Sequence, residues 1–244
     1  MKLMDIDSPL MQGLNKMADL MWLNVLTVIC CLPVVTVGAS LTALNYMALK
    51  IARDEECYIT KGFFKSFKEN FKQATAIWLI FLAVIIILVV DFRIMWAPGA
   101  EVNMIIQTLI GVSAIFCLLA FMFVFPLLAK FDNPVLKTIK NAFLLSALQF
   151  PKTILMVILY AIPVLLFIYV YLAIPLSLMF GLSVPAWLSA KMYSKFFKKL
   201  EDQILEKAGL KEEKDEGEPQ EDERIFKDEI DPVLANRKND GDPS

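Results

Sequence analysis

The 244-residue sequence has no histidine, and its long apolar runs contain no charged side chain. Histidine is the commonest transition-metal ligand and the commonest general acid or base, so its absence argues against metal and triad chemistry. Proton and ion pathways usually need ionisable groups inside the membrane, which disfavours a proton-coupled transporter. A glycine-rich phosphate-binding loop is also missing, which argues against an ATPase subunit. We therefore expect no catalytic residue, no metal and no cofactor.

Cysteine is scarce and does not suggest a disulfide framework. Cys30, Cys31 and Cys117 lie inside apolar runs and Cys57 lies outside them, while adjacent Cys30 and Cys31 point to different faces of a helix. An intramembrane enzyme with Cys30 or Cys31 as nucleophile finds little support, because a buried thiol without an activating neighbour is inert. We expect the chain to be non-enzymatic.

Hydrophobic residues, in contrast, make up 57% of the chain, and the mean hydropathy is +0.58. Soluble domains are only about half apolar. The charge-free runs 20–49, 74–90, 102–129 and 153–190 approach or exceed the roughly 17–25 residues with which a helix crosses a bilayer. Acids interrupt the first 20 residues, so we expect no cleaved signal peptide. The sequence predicts an all-α, polytopic transmembrane helical bundle.

Lysine and arginine collect in alternate connections between these runs. Residues 50–72 contain six of them, 91–101 one, 130–152 four and 191–199 four. Cytoplasmic loops of membrane proteins are the ones that carry such an excess. The basic connections are therefore predicted to be cytoplasmic and the connection at 91–101 external.

The last apolar run is too long for one crossing. Its 38 residues would form a helix of about 57 Å, nearly twice the thickness of a hydrocarbon core. Because both ends are basic, a hairpin of two spans is predicted, at about 153–172 and 175–192. The chain then crosses about five times, with the amino terminus outside and the carboxyl terminus in the cytoplasm.

The first apolar run carries helix breakers near its middle. Pro33 removes a backbone donor and Gly38 tolerates conformations that side chains forbid, so the first span is predicted to break near Pro33–Gly38. A long helix should end near Cys31, and a second should run from about Ser40 to Ala52. Two interpretations stay open, a broken helix that lines a substrate cavity and a simple kink with helix packing. The candidate residues of this site are Asn24, Pro33, Thr36, Gly38, Ser40 and Asn45. Asn24 is expected chiefly to form hydrogen bonds between helices.

The segment "KGFFKSFKENFKQ" predicts an amphipathic, interfacial helix. At about 100° per residue its phenylalanines fall within one quadrant and its lysines on the opposite side. The lysines would meet anionic lipid on the cytoplasmic leaflet or a partner protein. The residues of this surface are Lys61, Phe63, Phe64, Lys65, Phe67, Lys68, Phe71 and Lys72.

The chain divides into a transmembrane domain, residues 1–200, and an acidic tail, residues 201–244. The tail has 16 acidic and 7 basic residues, a balance typical of a disordered cytoplasmic segment. Its first part is expected to extend the last helix for a few turns.

The transmembrane domain also contains two similar segments, "FKSFKENF" and "LKTIKNAF". They suggest that 61–129 is repeated in 134–194, and convergence on basic amphipathic helices is the alternative.

Three stretches resemble the YesL family of bacterial integral membrane proteins, which carry a domain of unknown function. They are the run from Leu32 to Ala39, "ARDEE" at 52–56 and "FFKSFKENFKQA" at 63–74. The resemblance is close over about residues 8–80 and implies a multi-pass protein of the bacterial cytoplasmic membrane. By association it also implies a place near carbohydrate uptake systems of the ABC type.

The resulting hypothesis is an accessory or scaffold component associated with carbohydrate transport. Its expected partners are the lipid bilayer and components of a sugar ABC transporter, without nucleic acid. The alternative is an autonomous small-molecule transporter whose path is lined by polar residues of the broken first helix: Asn24, Thr36, Ser40 and Asn45. The sequence leaves open the substrate, the partner, the oligomeric state and the side of the membrane on which the amino terminus lies.

Overall fold

The computed structural model describes residues 9–55, 58–97 and 103–207. Within these ranges the chain forms eight α-helices and no β-strand, which confirms the predicted all-α bundle. The helices are α1 (Pro9–Cys31), α2 (Val37–Ala52), α3 (Ile59–Met95), α4 (Met104–Lys130), α5 (Val135–Leu148), α6 (Phe150–Tyr169), α7 (Ile174–Phe180) and α8 (Ser183–Lys207). Short 3-10 turns, Val34–Thr36 and Tyr171–Ala173, follow α1 and α6.

The first apolar run folds into a helical hairpin. Near the start of α1, Lys16 forms an ion pair with Asp54, which follows the end of α2. One and a half turns further along α1, the indole Nε1 of Trp22 donates to Thr60 Oγ1 at 3.0 Å. The break lies where Pro33 and Gly38 predict, but α1 and α2 run antiparallel, so the run is a hairpin and not one interrupted crossing.

Five helices of the described ranges are long and apolar enough to cross a membrane, and they are Met11–Cys31, Val34–Ala52, Ile59–Met95, Met104–Lys130 and Phe150–Tyr169. The number agrees with the prediction, but the members differ. The first run supplies two of them because it reverses at Pro33. The last run supplies one, because its second limb is divided into the seven-residue α7 and the lysine-rich α8.

The second limb of the last run nevertheless returns against α6, as the predicted hairpin requires. The hydroxyl of Ser177 in α7 donates to the carbonyl of Pro163 in α6 at 3.5 Å. A Cβ on Gly181 would lie 3.6 Å from the Pro163 Cβ. The chain then turns at Gly181 and Leu182 into α8.

Helix α2 occupies the centre of the bundle and packs against α1, α3, α4 and α8. A Cβ placed on Gly38 would collide with the carbonyl oxygen of Ala74 and lie 2.7 Å from the Trp78 Cβ. Glycine therefore allows α2 and α3 to approach closely at this level. The largest fully buried side chains around this centre include Leu44, Met47, Phe63, Phe123, Tyr193 and Phe197.

The far half of α3 and the near half of α4 form an apolar outer surface. Most large apolar side chains from Leu79 to Trp96 and from Met104 to Leu118 are exposed. A surface of this size is typical of contact with lipid chains, since soluble proteins rarely expose so much contiguous apolar area. The described chain is thus a multi-pass membrane protein.

The two halves of the suggested repeat differ at one point. In the first half the basic segment and the apolar span form one helix, α3, whereas Gln149 (φ −111°, ψ 38°) separates α5 from α6 in the second. Superposition of the halves stays a prediction.

Helix α8 continues through Lys207, past the domain boundary predicted at residue 200. Cys57 and residues 208–244, most of the predicted acidic tail, lie outside the described residues.

Candidate functional site

The basic surface predicted at residues 61–72 lies on the first half of α3. Its four lysines, Lys61, Lys65, Lys68 and Lys72, are all exposed. The opposite face is buried, with Phe63 fully enclosed. Because α3 has 37 residues and extends about 55 Å, this surface is continuous with a membrane-length helix. The interfacial position of this segment stays a prediction.

The phenylalanines of this segment form a row of contacting rings. The centroids of Phe63 and Phe67 are 6.2 Å apart and those of Phe67 and Phe71 are 5.6 Å apart. Phe64 departs from the predicted apolar face, since 39% of it is exposed. Ser66 and Asn70 lie on the buried face instead, where the Asn70 amide donates to the Ser66 carbonyl at 2.9 Å. The charge pattern alone gave no signal for these two residues.

The polar residues of the break bond to backbone within their own segment. Thr36 Oγ1 donates to the carbonyls of Cys30 at 2.6 Å and Pro33 at 2.8 Å. Ser40 Oγ donates to the Thr36 carbonyl at 2.9 Å, and Asn45 Nδ2 donates to the Leu41 carbonyl at 2.8 Å. The Thr36 hydroxyl satisfies a carbonyl in the last turn of α1, where the helix end leaves carbonyls without partners in the helix. These hydrogen bonds show Thr36 and Ser40 bonded within the turn of the hairpin, which argues against a part for these two side chains in a substrate path.

The tip of the hairpin is fixed to α3 through an indole group. Trp78 Nε1 donates to the Val34 carbonyl at 2.7 Å, and Thr75 Oγ1 donates to the Val35 carbonyl at 3.4 Å. Thr75 and Trp78 lie just beyond Lys72, where the charged half of α3 gives way to its apolar half. The tip therefore lies at the level of this transition.

Asn24 connects α1 to the junction of α7 and α8. Its side chain is fully buried. Oδ1 accepts from the backbone N–H of Leu182 at 2.8 Å and of Ser183 at 2.9 Å, and Nδ2 donates to the Leu178 carbonyl at 2.7 Å. This one amide satisfies three backbone groups at a helix break, in agreement with the expected role between helices.

A partly open cavity of about 370 Å³ lies beside the hairpin. Its polar lining comes from Cys31, Asn45 and Tyr160, and the rest of the lining is almost entirely apolar. Mostly apolar cavities with a few convergent polar groups, of about 300–1,000 Å³, are typical of small-molecule sites. Of the predicted path residues, Asn45 lines this cavity, whereas Asn24, Thr36 and Ser40 do not.

A cluster of charges that the sequence did not suggest joins three helices at one end of the bundle. Arg53 contacts Glu201 through both terminal nitrogens, at 2.7 and 3.3 Å, and its Nε donates to Ser194 Oγ at 3.2 Å. Lys130 Nζ lies 3.9 Å from the same carboxylate, and both residues are buried. Glu201 was predicted to begin the acidic tail, so nothing in its neighbourhood indicated a distant partner.

Tyr193 lies fully buried near this cluster. Its hydroxyl has no hydrogen-bond partner among the described residues. Burial raises the pKa of Tyr193 above its usual value, the neighbouring Tyr160 raises it further, and the Arg53 charge acts in the opposite direction. The phenol therefore remains neutral at alkaline pH.

In the described part of the chain, no group of three or more Cys, Asp or Glu side chains is placed to hold a metal ion. Cys30, Cys31 and Cys117 are free thiols. The arrangement offers binding surfaces, a hydrogen-bonded helix junction and a cavity.

These features and the five apolar helices define a multi-pass membrane protein built around a central hairpin. Residues 20–92 match a family described as "Protein of unknown function, DUF624". The matched residues cover about half of α1, all of α2 and α3 to within three residues of its end. Over this segment the chain is similar to an uncharacterised domain. No curated protein and no solved structure matches the chain.

Proposed function

We propose that this protein is a non-enzymatic accessory or scaffold component of a carbohydrate uptake system of the ABC type in the bacterial cytoplasmic membrane. In this proposal the carboxyl terminus and the lysine surface of α3 face the cytoplasm, following the distribution of basic residues. The chain would act through surface contacts with the partner, without a reaction of its own.

The observation that carries this proposal is the one-sided basic surface of α3. Lys61, Lys65, Lys68 and Lys72 are exposed, while Phe63 on the opposite face is enclosed by the core. A rigid helix holds these four charges in a fixed spacing. Such a surface suits an acidic partner, because complementary charge steers association and fixes its register.

The carbohydrate part of the proposal rests on the YesL resemblance of the sequence. The transporter identity is therefore an inference by association. The lysine surface would serve equally for any acidic membrane partner, so the experiment must identify the partner as well as its contact.

Affinity purification from native membranes, with a tag after Ser244, tests the proposal. We expect a stoichiometric transporter partner to co-purify with the native chain and to be lost when the four α3 lysines are replaced by glutamine. The matched control replaces four exposed lysines elsewhere, Lys137, Lys140, Lys195 and Lys199, by glutamine and should keep the partner. Purification of the native chain alone or as a homo-oligomer would contradict the proposal.

A second candidate, an autonomous small-molecule transporter, is favoured by the cavity at Asn45 and Tyr160. It predicts flux into vesicles that contain only this protein. Asn45→Leu or Tyr160→Phe should reduce that flux, while Ser113→Ala, on the exposed surface of α4, should not. An absence of flux for a panel of sugars would leave the accessory function.

A further inference from the structure

A second, larger cavity has no lining residue from α3. It is a groove of about 480 Å³ between α1, α6, α7 and α8. Its lining is almost entirely apolar and includes Leu20, Leu159, Leu166 and Leu176. A groove of this composition on a membrane protein has the polarity of a lipid chain.

The groove is polar at one end. Lys16 and Trp187 line it, and the Lys191 Nζ lies 3.9 Å from the centre of the Trp187 ring. The indole Nε1 of Trp187 is buried and has no hydrogen-bond partner among the described residues. A buried N–H without an acceptor is unfavourable, so a ligand that supplies an acceptor at this point would be stabilised.

The contacts of neighbouring residues place both lysines at the same end of the bundle. Lys16 pairs with Asp54. Arg53, which directly precedes Asp54 in the sequence, donates to Ser194, and Ser194 lies one turn beyond Lys191 on α8. The other end of the groove is formed by residues near the α6–α7 turn, where Leu166 and Leu176 lie. Positive charge and an open donor thus lie at one end and apolar side chains at the other.

We propose that this groove is a binding site for one anionic phospholipid. The acyl chain lies between α1 and α6–α8, and the phosphate accepts from Trp187 Nε1 beside the Lys191 charge. Lys16, which also forms the ion pair with Asp54, contributes a second positive charge. An indole N–H and a lysine at the headgroup level are typical anchors at the membrane interface. This site is separate from the α3 surface and does not depend on the accessory function.

Native mass spectrometry of the detergent-purified full-length chain tests the proposal with phosphatidylglycerol and phosphatidylcholine at equal concentration. We expect preferential retention of one phosphatidylglycerol. Trp187→Phe keeps an aromatic ring but removes the N–H donor, and should lower retention about fivefold, the factor that one ordinary hydrogen bond supplies. Lys191→Gln should lower phosphatidylglycerol retention and leave phosphatidylcholine unchanged.

Two controls separate the groove from general surface charge. Lys199→Gln removes an exposed lysine of α8, and Trp96→Phe removes an exposed indole directly after the end of α3. Both variants should retain the lipid. Leu176→Trp narrows the groove without touching either cation and should lower retention of both lipids. Equal retention of the two lipids by the native chain, or no effect of Lys191→Gln, would overturn the proposal even if Trp187→Phe failed to fold.

Discussion

Asn24 shows how much of the helix packing depends on one side chain. It pairs with the carbonyl of Leu178 and with the N–H groups of Leu182 and Ser183. Asn45 is also buried, but its amide donates to Leu41 in its own helix. The two asparagines therefore make a matched pair, one between helices and one within a helix.

We expect Asn24→Ala to destabilise the protein by about 2–4 kcal/mol, because it leaves buried backbone groups without partners. Asn45→Ala should lower stability by less than about 1 kcal/mol, the usual value for one side-chain hydrogen bond in a membrane protein. Thermal unfolding in detergent measures both. Equal losses for the two variants would show that the junction tolerates an open Asn24 site.

Truncation of Tyr193, unlike that of Asn24, is not expected to lower stability, since the buried Tyr193 hydroxyl lacks a hydrogen-bond partner among the described residues. Tyr193→Phe removes that hydroxyl and should leave stability unchanged or raise it by up to about 1 kcal/mol. Ser194→Ala removes a hydroxyl that accepts from Arg53, and should lower stability by about 1 kcal/mol. A marked loss for Tyr193→Phe would mean that the hydroxyl has a partner in the folded protein.

The raised pKa of Tyr193 also predicts how the stability of the protein depends on pH. The folded state keeps the phenol proton, while the unfolded state releases it near the usual value of about 10. The contribution of this proton to stability is therefore fully present below about pH 10 and is lost as the pH rises further. Tyr193→Phe should lose less stability than the native chain between neutral pH and pH 11, measured as unfolding temperature against pH.

At the scale of the elements, the contact between α2 and α3 requires glycine at residue 38. Gly38→Ala places a Cβ against backbone of α3 and should destabilise the protein by about 1–3 kcal/mol, the usual range for overpacking. Gly111→Ala is the control, because a Cβ there meets nothing within 4 Å and improves helix propensity. Unfolding temperatures in detergent compare the two, and a neutral Gly38→Ala would mean that α2 and α3 separate easily.

The elements also show which parts of the fold the sequence could predict. The break at Pro33 and the reversal after Tyr169 have local causes, a proline and an overlong apolar run, and both lie close to their predicted places. The direction of α2 after the break has no local cause. It depends on the fit of Gly38 against Ala74 and on the pairing of Lys16 with Asp54, contacts between distant residues that periodicity does not encode.

The candidate sites also include residues that the sequence could predict and residues that it could not. The basic surface of α3 follows from residue spacing, so its four lysines could be predicted. The carboxylate of Glu201 and the indole of Trp187 could not, because each depends on neighbours from other helices. Hydropathy also gave no reason to divide the last limb at Gly181.

At the scale of the whole molecule, the hairpin changes the expected topology. The prediction of an external amino terminus requires Lys16 and Asp54 to lie on opposite sides, but they form an ion pair. We expect single cysteines at residues 16 and 54, in a chain otherwise free of cysteine, to react with an impermeant reagent from the same side. A cysteine at Trp96, at the far end of α3, should react from the other side. Labelling of residues 16 and 54 from opposite sides would contradict the hairpin.

The charge cluster connects α2, α4 and α8 across the molecule. Glu201→Gln leaves Arg53 and Lys130 without the carboxylate that they share, and should destabilise the protein by about 2–4 kcal/mol. Glu206→Gln, on the exposed side of the same helix, should have no measurable effect. Chemical unfolding in detergent distinguishes the two, and a neutral Glu201→Gln would show that water compensates both cations.

The Asn24 junction also sets an order of events during synthesis. Lys16 meets Asp54 only 38 residues later, but Asn24 meets Leu178 after 154 residues. At about 5–20 residues per second, roughly 8–30 s pass between the synthesis of Asn24 and that of its last partners. For most of this interval the whole hairpin has been synthesised, but the Asn24 amide has none of its final partners. We therefore expect the Asn24 site to be completed last, when Leu178, Leu182 and Ser183 reach α1.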